Sequence, residues 1–111
     1  MTKEALIKRE KKKLTALYEE IPENKRKLVA GLIENAAFMK VTLEELQQQV
    51  NEEGAIILAK NGNGFDVSQE HPAQKSYNTM INRYTATIKQ LAELLPEQKQ
   101  GKSKLDEFLS E

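Results

Sequence analysis

The chain of 111 residues is long enough for one domain with a single modest core. Charged residues make up 31% of it, aromatic residues are few and cysteine is absent, so the composition favours packed helices and excludes disulfides, thiolate metal sites and thiol catalysis. The net charge is zero, but residues 1–27 hold nine Lys and Arg against five Glu, so the basic character is confined to one end.

The first predicted element is a helix over residues 2–20, with Thr2 as its N-cap. A basic run in this helix points in nearly every direction around one turn, so it cannot pack against a core. It is either a solvated face or a surface that contacts a polyanion. The run consists of Lys8, Arg9, Lys11, Lys12 and Lys13.

A second helix is predicted over residues 23–39, after the break at Pro22. Its first turn carries Lys25, Arg26 and Lys27, which have the unfavourable sign for the positive end of a helix dipole. Two interpretations remain open for these cations. They form either an ordinary solvated first turn or a contact with an anionic partner such as DNA.

A third helix is predicted from Leu43 to Glu53, because Thr42 and Glu45 have the spacing of a capping box and Gly54 suits a helix end. The short joint before it resembles a helix-turn-helix. The third helix contains no Lys or Arg, however, and a major-groove recognition helix needs cations for phosphate and guanine. We therefore do not assign it that role.

A small β-hairpin is predicted next, with residues 55–60 paired to residues 64–68 around the turn signal Asn61-Gly62. Two strands alone are marginally stable in water. The hairpin must therefore lean on the helices or pair with a neighbouring subunit.

The last predicted helix runs from Pro72 to Leu95 and is closed by Pro96. Its large apolar residues alternate at spacings of four and three, the a/d pattern of a helix that buries one seam. The seam is either part of the core or a contact that holds subunits together. It consists of Tyr77, Ile81, Tyr84, Ile88, Leu91 and Leu95.

The remaining residues, 96–111, form a polar linker followed by a compact apolar cluster on an acidic background. We predict a flexible tail that is either simply disordered or a segment that folds into a partner's groove. The candidate partner-binding residues are Leu105, Phe108 and Leu109.

The predicted fold is mainly α: a domain of residues 1–95 with three N-terminal helices, a hairpin at about 55–68 and one long C-terminal helix, followed by the tail. The single histidine, His71, precedes the long helix without other metal ligands nearby, so we interpret it as a capping or solvent-facing residue. No catalytic constellation, metal site or cofactor site is present in the pattern. We therefore expect that the protein is not an enzyme.

Several segments resemble the small subunit of tailed-phage terminases: FMKVTLEEL, His71-Pro72-Ala73, SYNTMINRYTATIKQLAELLP and KLDEFL. The resemblance implies a helical protein that forms a ring-like homo-oligomer in the cytoplasm of a bacterial host. It also implies recognition of viral double-stranded DNA and recruitment of the terminase large subunit, which holds the ATPase and nuclease.

Two hypotheses follow. In the first, the chain is a DNA-packaging adaptor whose basic residues contact the DNA backbone while the tail engages the large subunit. In the second, it is a helical protein–protein adaptor or scaffold without nucleic-acid binding. No apolar run approaches the roughly 20 residues that span a bilayer, so neither hypothesis involves a membrane.

Overall fold

The computed structural model describes residues 1–95. Its elements in chain order are α1 (Lys3–Ala16), α2 (Glu23–Glu53), β1 (Ile56–Lys60), β2 (Asp66–Glu70) and α3 (Pro72–Glu93). The fold is mainly α with one antiparallel hairpin, as predicted. None of the helices in this part of the chain is both long and apolar enough to cross a membrane. The prediction of a flexible tail concerns residues outside the described range.

Helix α1 begins as predicted, because the Thr2 side chain accepts a hydrogen bond from the Ala5 N–H at 3.1 Å. It ends at Ala16, four residues before the predicted end. The chain then tightens, and the backbone N–H groups of Leu17 and Tyr18 bond to carbonyls only three residues back. This turn buries Tyr18 in the core.

The prediction of three N-terminal helices was wrong, since residues 23–39 and 43–53 belong to one helix, α2. This helix has 31 residues and is about 46 Å long at the usual rise. Thr42 lies inside it, and its hydroxyl is buried without a hydrogen-bond partner in the described structure. The predicted capping box therefore does not form. Ala37, Val41 and Leu43 are all buried, so a break at this point would uncover the core.

The core lies where α2 packs between α1 and α3. The predicted seam of the long helix closes within this single chain, because four of its residues are buried and two are packed partly against the core. The buried residues are Tyr84, Ile88, Leu91 and Leu95, and the partly buried ones are Tyr77 and Ile81. A contact between subunits must therefore use another surface.

The hairpin forms as predicted, but its second strand begins and ends two residues later than expected, so that Ile56 pairs with Glu70 and Lys60 with Asp66. A five-residue loop, 61–65, connects the strands where residues 61–63 were expected. The Asn61 side chain accepts hydrogen bonds from the N–H groups of Asn63 and Phe65, and Gly64 supplies the positive φ of 83° that closes the loop. A two-residue type I′ turn, which the Asn61-Gly62 signal is typical of, would instead need positive φ at both Asn61 and Gly62.

Neither strand packs extensively against a helix of the described chain. The expected support from the helices is therefore weak. Ile56 and Leu58 lie on one face of β1 and are 62% and 72% exposed, and Phe65 in the loop is also exposed. The hairpin thus presents apolar side chains to its surroundings.

Candidate nucleic-acid interface

The basic residues of α1 lie between its middle and its C-terminal end, and those of α2 lie in its first two turns; residues 17–22 connect the two helices. Two of the eight predicted DNA-binding residues, Lys11 and Lys13, are half-buried. The other six are exposed and make no ion pair with a described residue. These are Lys8, Arg9, Lys12, Lys25, Arg26 and Lys27.

Lys13 differs from the rest because its ammonium group lies 3.7 Å from a carboxylate oxygen of Glu10. This pair neutralises part of the charge of the α1 run. The exposed cations, rather than Lys13, are therefore the ones that remain available to an anionic partner.

The N-terminus of α2 is the only helix start in the described chain without a side-chain cap. Pro22 occupies the N-cap position, and its side chain makes no capping hydrogen bond, whereas Thr2 caps α1 and His71 caps α3. Unpaired N–H groups at a helix start, together with the helix dipole, favour anions. Lys25, Arg26 and Lys27, the third to fifth residues of α2, add three positive charges close to that helix start.

This arrangement suits phosphate groups rather than base edges. Cations and backbone N–H groups hold the sugar-phosphate backbone and carry no sequence information by themselves. Glu23 is the one acidic residue of the first turn of α2. We call the surface formed by the start of α2 with Lys25, Arg26 and Lys27 the basic end. Its chemistry suits a contact with the sugar-phosphate backbone of DNA.

His71 is a capping residue, the first of the two roles predicted for it, and at 6% exposure it does not face solvent. Its Nδ1 accepts a hydrogen bond from the Ala73 N–H at 2.9 Å, so the ring proton is on Nε2, which lies 2.8 Å from a carboxylate oxygen of Glu53. The backbone N–H of His71 also donates a hydrogen bond to the Ala55 carbonyl at 2.7 Å. One residue thus joins the end of α2, the base of the hairpin and the start of α3.

Replacing His71 by alanine is expected to lower the free energy of unfolding by about 1–2 kcal/mol, because the cap and the contact with Glu53 are both lost. His71→Asn keeps a cap acceptor and should cost clearly less. Urea unfolding monitored by circular dichroism measures both variants. Equal losses in the two variants would show that the cap contributes little.

Two tyrosines join the helices inside the core. The Tyr18 hydroxyl donates a hydrogen bond to the Leu91 carbonyl near the end of α3, and burial raises the pKa of Tyr18 well above its usual range. Burial also raises the pKa of Tyr84 to about 12, with smaller contributions from the carboxylates of Glu10 and Glu44. Tyr84 is buried and therefore cannot stack on a base.

A groove of about 500 Å³ between α2 and α3 was not predicted. Phe38, Met39 and Met80 supply its apolar lining, while Lys75 and Arg83 supply its charges. The signal in the sequence was the spacing of Lys75, Thr79 and Arg83, four residues apart on one helix face. It was missed because the position of Phe38 opposite that face depends on how α2 and α3 pack.

No group of three or more His, Asp or Glu side chains within residues 1–95 is arranged to hold a metal ion. The predicted partner-binding residues Leu105, Phe108 and Leu109 lie outside the described range. No protein-family model, no curated protein and no solved structure matches the chain.

Proposed function

We propose that the chain is a terminase small subunit, the non-catalytic component of a viral DNA-packaging motor that recognises viral DNA and recruits the large ATPase/nuclease subunit. The observation that carries the proposal is the basic end, where three exposed cations closely follow the uncapped start of α2. The sequence resemblance supplies the class of protein, and the basic end supplies a surface for its ligand.

The cations of α2 have a cost that DNA binding offsets. Each positive charge in the first turn of a helix opposes the dipole by about 0.3–1 kcal/mol. A phosphate group at this position reverses the sign of the interaction, because it meets both the dipole and the side chains of Lys25, Arg26 and Lys27.

A chain with zero net charge gains little long-range attraction to DNA, so several copies of the basic end must act together. A ring-like homo-oligomer supplies those copies. Since the seam of α3 is closed within the chain, the exposed hairpin residues Ile56, Leu58 and Phe65 are our candidates for the subunit contact. Residues Leu105, Phe108 and Leu109 are our candidates for the contact with the large subunit.

The alternative is a helical protein–protein adaptor or scaffold without nucleic-acid binding. The neutral charge of the whole chain and the exposed apolar side chains of the hairpin favour it. A stable oligomer in light scattering, together with no DNA binding at low salt, would support this alternative over the first proposal.

The test of DNA binding is the triple variant Lys25→Glu, Arg26→Glu, Lys27→Glu. We expect its affinity for double-stranded DNA at low salt to fall by about tenfold or more. The slope of log affinity against log salt should decrease by about 2.7, which is 0.9 for each of three lost phosphate contacts. Fluorescence anisotropy with labelled phage DNA, measured as a salt series, gives both quantities.

The matched control carries Lys60→Glu, Lys89→Glu, Gln49→Glu and Gln90→Glu, which change the net charge by the same amount at exposed positions elsewhere. It should keep most of the affinity and most of the salt slope. If this control and the triple variant lose affinity equally, the effect is one of net charge and the basic end is not the contact surface.

A further inference from the structure

We propose that the groove between α2 and α3 binds the C-terminal segment of the same chain, residues 105–111. The groove is defined by the apolar side chains of Phe38, Met39 and Met80 and by the cations Lys75 and Arg83. Segment 105–111 has the sequence LDEFLSE. This inference does not depend on DNA binding.

The groove has the properties of a peptide-binding surface. Phe38 is 45% exposed although it lies between two packed helices, so its ring is available to a ligand. The Lys3 ammonium group lies 4.8 Å from the centre of that ring and 2.8 Å from a Glu45 oxygen. Within residues 1–95, no carboxylate lines the groove.

The charges of the groove and of the segment are complementary. Residues 105–111 contain three carboxylates and no Lys or Arg, and the groove offers Lys75 and Arg83, both exposed and without an ion pair to any described residue. Cations that flank an apolar surface favour an acidic, apolar peptide over a neutral one.

The apolar residues of the segment have a matching spacing. Leu105, Phe108 and Leu109 stand at i, i+3 and i+4, which places them on one face of a single helical turn. That face would meet Phe38, Met39 and Met80. Methionine side chains adapt readily to the shape of a bound apolar group.

The segment can reach the groove from its own chain. Arg83 is twelve residues before Leu95, or about 18 Å along a helix, and residues 96–104 can span up to about 30 Å. Docking within one chain also raises the effective concentration of the segment to the millimolar range. A weak contact is therefore sufficient, and a partner that competes for the segment must displace it.

The test uses the full chain, whose lack of cysteine allows one nitroxide label at Ser110→Cys. Carbon-13 labelling of the methionine methyl groups gives three signals, two of which, Met39 and Met80, belong to the groove. We expect the nitroxide to remove most of the intensity of those two signals. Reducing the nitroxide should restore both.

The same label is then placed in two charge variants. Lys75→Glu with Arg83→Glu should restore the Met39 and Met80 intensities, whereas Lys60→Glu with Lys89→Glu, the matched control, should not. Circular dichroism checks that each variant folds. Adding Asp106→Lys and Glu107→Lys to the groove variant should bring the broadening back, because the charges are then exchanged.

Intensity loss that persists on dilution supports docking within one chain. Mixing spin-labelled chains that lack carbon-13 with carbon-13 chains that lack the spin label separates the two sources. If the mixed sample accounts for the whole intensity loss of Met39 and Met80, the segment in the groove comes from a second copy of the chain and the proposal is overturned. Unchanged intensities in the labelled full chain overturn it as well.

Discussion

Replacing Glu44 by proline is expected to lower the free energy of unfolding by about 3 kcal/mol or more. Glu44 is exposed and lies inside α2, so the proline removes one backbone hydrogen bond to the Lys40 carbonyl and its ring meets that carbonyl. If a new helix started at Leu43, position 44 would lie in a first turn, where proline is tolerated. Urea unfolding measures the loss.

Two companion variants make this test specific to the continuity of α2. Glu44→Ala keeps the helix and should change the stability little. Thr42→Val removes the buried hydroxyl that has no partner in the described structure, so it should be neutral or stabilising. A loss of about 1 kcal/mol in Thr42→Val, with a tolerated proline at position 44, would instead support the capping box.

Raising the pH from 10 to 12 is expected to destabilise the protein by about 2 kcal/mol through Tyr84 alone. Burial and the nearby carboxylates of Glu10 and Glu44 raise the pKa of Tyr84 to about 12 in the folded chain, from 10.0. The folded state therefore holds its phenolic proton where the unfolded state has lost it. The stabilisation that the protonated Tyr84 contributes is present below pH 10 and is lost as the pH rises through 12.

Tyr18, whose pKa burial also raises, should add to this alkaline loss. Unfolding curves recorded at several values between pH 9 and pH 12 measure the total. The control is Tyr84→Phe, which removes one titrating group and should reduce the slope between pH 10 and pH 12 by about 1 kcal/mol per pH unit. An identical pH dependence in Tyr84→Phe and in the parent chain would contradict the assignment.

The loss of stability at high pH and the effect of Glu44→Pro both test how α2 packs against α3. Tyr84 is buried only because α3 lies against α2, and the cluster it belongs to includes Leu43, one residue from the replaced Glu44. Breaking α2 at position 44 should therefore also expose Tyr84. We expect the Glu44→Pro variant to ionise its tyrosines at lower pH than the parent, as followed by tyrosinate absorbance.

Where local chemistry leaves one choice, the sequence by itself determined the structure. Proline has no N–H and fixes its φ angle, so Pro72 fixed the start of α3, and its alternating apolar spacing identified the buried face. Asn61 and the glycines after it fixed the position of a hairpin. The eight basic residues of the predicted interface were also visible in the sequence, because clustered charge is a local property.

Only the tertiary structure decided the features that depend on several elements at once. Thr42 and Glu45 carry a local signal for a helix start, but burial of Ala37 and Val41 in the continuous helix outweighs a cap worth about 1 kcal/mol. The seam of α3 closes inside the chain for the same reason: α2 covers it. The groove at Phe38 exists only because α2 and α3 meet there, so no single stretch of sequence contained it.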